Sequence, residues 1–316
     1  MKADDMEDRP ALSASLRMLR TMFRDLVRAG DRQRAEQLLE QEISARHFVE
    51  GELHEKEAQI RAARRVQEHL LPRLPPSVAG FDIAGASYSS DGAAGDYFDY
   101  VPMLDGAWMI AVGDVSGHQF ASSLLMASAR AYVRSLAQMH TNVADILTLA
   151  NAVLLDDVEE DHFVTLFVAR LNPLTHAFTY ASAGHEPCYL LDRRGLVRSR
   201  LESTGFPLGI TGEGEYLTAG PYTLEPGDLL LMITDGVHDV RSPEGVPFGT
   251  ERMLEVVGEY AACSAEVVVA HLRDAVFSFT GDRKLDDDVT VVVVKALPDA
   301  EGLDPVSGGR DAGGPG

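Results

Sequence analysis

Four short segments of this chain place aspartate beside glycine or a second aspartate. They are Gly95-Asp96-Tyr97-Phe98-Asp99, Gly113-Asp114-Val115-Ser116-Gly117-His118, Thr234-Asp235-Gly236 and Asp286-Asp287-Asp288-Val289-Thr290. Two of them end apolar runs, Trp108 to Val112 and Leu229 to Ile233, and the fourth precedes the run Val289 to Val294. The first lies in a polar, glycine-rich loop. Short aliphatic runs bounded by Gly and Asp read as buried strands. Antiparallel pairing sets the end of one strand beside the start of the next, so carboxylates distant in sequence gather at one sheet end. Carboxylates that share a site cannot all ionise unless something cancels their charge, and a divalent cation does so. Oxygen donors without a His-Cys constellation favour Mg2+ or Mn2+ over structural zinc. Two such ions bridged by a water suit in-line attack on a phosphate ester.

The elements that must position these residues change character along the chain. Residues 11–29 space Leu12, Leu16, Leu19, Phe23 and Leu26 by alternating steps of four and three, a short heptad seam. Gly30-Asp31 breaks it. Residues 32–71 lack proline and read as a second long helix with a sparse stripe of Leu39, Ile43, Leu53, Ile60 and Leu70, ended by Pro72, Pro75 and Pro76. A helical hairpin of this size buries little core alone, so it packs against a second copy or the next domain. From residue 77, runs at 81–86, 107–113, 163–171, 176–183, 186–191, 220–224, 229–234 and 289–296 read as strands. Residues 119–138, 142–157, 250–259 and 264–279 read as helices in two pairs. Strands with helices inserted in pairs indicate an α+β layered domain. The expected division is a helical segment (1–76), a layered domain (77–297) and a disordered tail (298–316) rich in Gly, Pro and Asp.

Composition narrows the function classes. The chain has 316 residues and a net charge of -21. Residues 1–76 hold 14 Lys+Arg and 14 Asp+Glu, which leaves 14 and 35 for residues 77–316. A domain so acidic argues against nucleic-acid binding. No apolar run reaches the roughly 18–20 residues of a membrane helix. The polar, acidic N-terminus shows no secretory signal, and Cys188 and Cys263 have no metal-type spacing, so a cytoplasmic location is expected. No Gly-x-Ser-x-Gly elbow surrounds Ser116 and no Walker motif is present, which removes serine-hydrolase and P-loop readings.

The four segments do not stand alone. Ala62 to Pro72, Leu124-Leu125-Met126-Ala127, Phe163 to Phe167, Ala183-Gly184-His185-Glu186-Pro187, Pro207-Leu208-Gly209 and Pro226-Gly227-Asp228 complete an ordered set. With them, residues 64–297 resemble a PPM-type metal-dependent protein phosphatase of the bacterial SpoIIE/RsbU branch. The resemblance implies two packed antiparallel β-sheets flanked by helices, an αββα sandwich. It implies that Asp96 binds one metal, that Asp114 and the carbonyl of Val115 bridge, and that Asp235 and Asp287 complete the shells. Asp288 stands beside them as a ligand or as a partner of one. It further implies two or more Mn2+ or Mg2+ ions, a bridging hydroxide as nucleophile and a phosphoserine or phosphothreonine protein as substrate, typically an anti-sigma-factor antagonist. The same resemblance implies dimerisation and regulation for residues 1–76, with a homodimer and an activator that binds the N-terminal helices, and phosphatase activity for residues 77–297. The chain departs from the family pattern at Gln119, where glycine is usual, at Ala93-Ala94, and at Asp239, where glutamate is usual. Gln119 supports the alternative, a catalytically weak module of this fold serving as a scaffold in a sigma-factor partner switch. His118, His185 and Asp228 read as loop and turn residues, and Asp99 as the acceptor of a loop hydrogen bond.

Overall fold

Valine, isoleucine, leucine and aromatic residues fill the central runs, and these form the strands of the computed structural model. It describes residues 21, 22, 24, 28–90, 94–117, 120–158, 162–212, 214–281 and 283–298. The heptad seam, Ala93, His118, Gln119 and the tail beyond residue 298 lie outside them. The chain divides into two units, Met1–Ile60 and Arg61–Gly316. Helix α1 (Arg32–Glu68) runs through the boundary. In the first unit its apolar residues Leu39, Ile43, Phe48, Val49 and Leu53 are exposed.

Among the described residues the second unit contains ten strands in two antiparallel sheets. One has the order β1 (Phe81–Tyr88), β10 (Val289–Ala296), β9 (Leu229–Ile233), β6 (Cys188–Leu191), β7 (Val197–Leu201). The other has the order β2 (Tyr97–Pro102), β3 (Trp108–Val115), β4 (Val164–Asn172), β5 (Ala177–Ala183), β8 (Ala219–Thr223). Period-two alternation explains the layering. Ile110, Val112, Phe167 and Ala169 of one sheet face Ile83, Leu230, Met232, Val292 and Val294 of the other. The alternate residues Met109, Ala111 and Val168 pack under α2 (Phe120–Ala137) and α3 (Val143–Leu154). Leu231, Ile233, Val291 and Val293 pack under α5 (Thr250–Glu259) and α6 (Ala265–Thr280), which follow the single-turn α4 (Gly236–Asp239). Strands covered on both faces read as unbroken apolar runs. The result is the expected αββα sandwich.

Caps fix the helix starts. The Asn142 side chain accepts the Ala144 N–H, and Asp82 of β1 accepts the Ala265 N–H at 2.7 Å. Two strands differ from the sequence reading. Tyr97–Pro102, expected as loop, is β2, and Asp99 within it is an ion-pair partner instead of a loop acceptor. Arg134 donates twice to Asp99, at 2.7 and 2.8 Å, and Arg130 lies 3.3 Å away. The second is β7, a largely exposed edge strand of sequence Val-Arg-Ser-Arg-Leu.

Candidate metal centre

Strand register brings the aspartates together. Tyr97 of β2 pairs with Gly113 of β3, so one step further Asp96 stands opposite Asp114. In the other sheet Ile233 pairs with Val291, and Thr234 N–H donates to the Thr290 carbonyl. Asp235 at the exit of β9 therefore lies beside Asp287 and Asp288 at the start of β10. The sheets are tied at this end by the Thr234 hydroxyl, which donates to Asp96 Oδ2 at 2.7 Å and accepts the Thr290 N–H at 3.0 Å.

Two glycines permit the approach. A Cβ on Gly95 would fall 2.9 Å from Asp114 Oδ1 and 2.9 Å from the Val115 carbonyl oxygen, so these two acceptors face the same spot. A Cβ on Gly236 would fall 1.8 Å from the Asp288 carbonyl oxygen, which is why the turn after Asp235 can close onto the start of β10.

The cluster is electrostatically loaded. Asp96 is buried, and burial first, then Asp114 and Asp288, push its carboxyl well above the usual range, against the hydrogen bonds of Thr234 and Thr290. Asp114 is pushed up to about 7 by burial and then by Asp235, Asp287 and Asp288. Burial and then Asp239 raise Asp235. Asp287 is exposed, and its Oδ1 accepts the Asp288 N–H at 2.8 Å. Asp288 turns both oxygens to the β1–β2 loop. Oδ1 accepts from Ser90 N–H and hydroxyl at 2.8 and 3.2 Å, and Oδ2 accepts the Gly95 N–H at 2.8 Å. Its geometry is that of a partner holding the Asp96 loop. Gln67, near the end of α1, holds the same loop from the other side. Its Oε1 accepts the Ala94 N–H at 2.7 Å, and its Nε2 donates to the Ala94 carbonyl.

Among the described residues no three Asp, Glu, His or Cys side chains stand close enough to form a closed cage for one ion. The donors that do converge are hard oxygens: carboxylates plus the Val115 carbonyl. Mutually repelling carboxylates suit a hard divalent cation such as Mg2+ or Mn2+, and Mg2+ retains several waters and needs only one or two carboxylates. The chemistry of the donors is of the class that Mg2+ or Mn2+ takes.

The structure gathers Asp96, Asp114, Val115, Asp235, Asp287 and Asp288 at one end of the sandwich. Sequence reasoning passed over Thr234 and Thr290, although both lie inside the quoted motifs, because strand threonines announce no partner. It also passed over Ser90 and Thr165. His185, read as a turn residue, is buried and bridges the two sheets, while Asp228 accepts the Glu225 N–H and shapes its turn as expected.

Comparison with known proteins adds an independent line. The family described as Stage II sporulation protein E (SpoIIE) matches residues 104–297. Phosphoserine phosphatase RsbU of Bacillus subtilis (strain 168) is 30% identical over 249 residues, covering 78% of this chain and 72% of the relative. Among solved structures, the RsbU and RsbW domains of Rv1364c from Mycobacterium tuberculosis are 25% identical with a TM-score of 0.59, over 70% of this chain and 63% of that one. The SiaA-PP2C domain of Pseudomonas aeruginosa is 19% identical with a TM-score of 0.67, over 77% of this chain and 98% of that one, a likeness of fold.

Proposed function

The chain belongs to the SpoIIE family of PPM phosphatases, and on that premise we propose that it is a Mn2+- or Mg2+-dependent protein-serine/threonine phosphatase acting on a phosphorylated anti-sigma-factor antagonist. The observation that carries this reading is the convergence of Asp96, Asp114, Asp235 and Asp287 at one sheet end, with Asp96, Asp114 and Asp235 all held above the usual carboxylate range. Asp96, Asp114, the Val115 carbonyl, Asp235 and Asp287 are the groups that would hold the ions. When bound, the ions neutralise the carboxylates and supply the Lewis acidity that hydrolysis of a phosphate ester requires. The protein's own part is positional. Thr234 orients Asp96, Asp288 and Gln67 pin the loop that carries it, and the ladder of β3 with β4 fixes Asp114. The assignment to a phosphoprotein draws on the likeness to a relative named as a phosphoserine phosphatase over most of its length.

The N-terminal helices belong to the same reading as a dimerising and regulatory segment, with an activator acting through them. The support is the exposed apolar residues of α1 and the contact of Gln67 with the Asp96 loop. A cytoplasmic site of action fits a chain in which no described helix is long and apolar enough to cross a membrane.

The test is phosphate release from a serine-phosphorylated anti-sigma antagonist with Mn2+, wild type against Asp114→Asn. Wild type is expected to turn over only with the ion, and the variant to lose at least about a hundredfold, since even residues supporting metal ligands cost 10–100-fold. Intact antagonist binding without turnover in wild type overturns the enzyme reading in favour of a scaffold.

A further inference from the structure

His185 lies in the turn between β5 and β6, is 4% exposed, and spans the two sheets behind the aspartates. Its Nε2 is 2.9 Å from the Ile233 carbonyl, two residues before Asp235. Its Nδ1 is 2.9 Å from the Thr165 hydroxyl, and Thr165 is the β4 residue paired with Asp114. A carbonyl only accepts, so Nε2 carries the proton and Nδ1 accepts from the hydroxyl. Burial pushes the imidazole down to about 4, which keeps the ring in this neutral, two-partner form. The Thr165 hydroxyl is also 3.4 Å from the Asp114 carbonyl oxygen. The hydroxyl has one proton, which His185 Nδ1 accepts, so the tie from Thr165 to Asp114 is the β3–β4 pairing, and the path runs from that pairing through the hydroxyl and His185 to the exit of β9.

We propose that His185 is a positioning residue of the metal centre: by holding Thr165 of one sheet and the Ile233 carbonyl of the other, it sets the separation of Asp114 from Asp235. The inference rests on the metal-dependent reading above. A carboxylate in the turn could not donate to the Ile233 carbonyl, and a glutamine amide would hold the two partners less rigidly, because imidazole fixes its donor and its acceptor in one ring plane at different edges. The same path makes Thr165 a dependent member. Its hydroxyl gives the ring its acceptor contact, and valine at that position keeps the shape and removes the contact.

The experiment reads Mn2+ binding directly, by the electron paramagnetic resonance of free Mn2+ in titrations of the full chain. The set is wild type, Thr165→Val, Thr165→Ser, His185→Phe and the Thr165→Val/His185→Phe pair, with circular dichroism melts as the fold control. Thr165→Val is expected to weaken Mn2+ binding about tenfold, to lower kcat with KM for the phosphoprotein unchanged, and Thr165→Ser to restore both. The double variant is expected to be no worse than His185→Phe alone, the mark of one shared path. If His185→Phe does not fold, Thr165→Val against Thr165→Ser decides. Wild-type Mn2+ affinity in a folded Thr165→Val overturns the positioning role and leaves the metal reading intact. Absence of Mn2+ binding by wild type overturns both.

Discussion

At Asp114 two demands oppose one another: the fold must bury a carboxylate among carboxylates, and the reaction needs it ionised. Its ordinary value of 3.8 rises to about 7 in the folded, ion-free chain. Between those limits the folded state holds a proton that the unfolded state has released, so stability falls as pH rises from about 4 to about 7. In chelator the protein is therefore expected to melt at a higher temperature at pH 5 than at pH 8. Mn2+ at pH 8 is expected to restore the difference, and Asp114→Asn to flatten the chelator profile. A wild-type profile that rises with pH, or one that Asp114→Asn leaves unchanged, contradicts this account. Gly95→Ala tests the same site sterically. Its Cβ would press on Asp114 Oδ1 and the Val115 carbonyl, so Mn2+ affinity is expected to fall about tenfold or more with a modest change in melting temperature. The aspartates were legible in the sequence because each stands at the end of an apolar run or beside glycine. Thr234, Thr165 and His185 were not, because their roles depend on which residue of a remote strand lies opposite. That register comes from the packing of two sheets, which no local pattern encodes.

The strands and helices were largely legible where burial on both faces produced continuous apolar runs, as at Leu229–Ile233 and Val289–Ala296. β2 was hidden because Asp99 interrupts its alternation and Pro102 ends it. A buried aspartate in a strand is stable only with partners, and those lie on α2, some thirty residues on. Arg130 and Arg134 supply them. β7 was hidden for the opposite reason: a short, exposed edge strand carries arginines and serine that read as loop. The Asp99 pair makes an energetic prediction. Asp99→Ala leaves Arg130, 17% exposed, without its carboxylate, and is expected to destabilise by about 3 kcal/mol. Arg134→Met is expected to cost at most about 1 kcal/mol, because that guanidinium is 37% exposed and already solvated. Urea unfolding with the two variants side by side measures the ratio. Equal costs would show that the pair is not distributed as the exposures indicate. Since Asp99 lies in β2, three residues after Asp96, which stands in the loop leading into that strand, Asp99→Ala is also expected to weaken Mn2+ binding, which Arg134→Met leaves nearly unchanged.

Across the whole molecule, charge and apolar surface are distributed unequally. All of the net charge of -21 belongs to residues 77–316, while residues 1–76 balance to zero. An acidic domain repels a phosphorylated protein beyond the reach of its ions, and salt at 0.1 M screens that repulsion at separations beyond about 10 Å. The neutral segment carries no such barrier to self-association. Its described helix exposes Leu39, Ile43, Phe48, Val49 and Leu53, with Phe48 at 66%. Fully burying such side chains yields roughly 1.5–3 kcal/mol each, so even partial cover of this set by a second copy supports a dimer. The last turns of α1 belong to the second unit, where Gln67 grips the loop of Asp96. Removal of residues 1–60 keeps that grip and removes the exposed stripe. The truncated chain is therefore expected to fold, to bind Mn2+ as the full chain does, and to become monomeric in sedimentation equilibrium. Its turnover is expected to change as well if dimerisation controls the site through α1. A truncated chain with unchanged oligomeric state and unchanged turnover would remove the regulatory role from the N-terminal segment. A monomer with full turnover would restrict that segment to assembly alone.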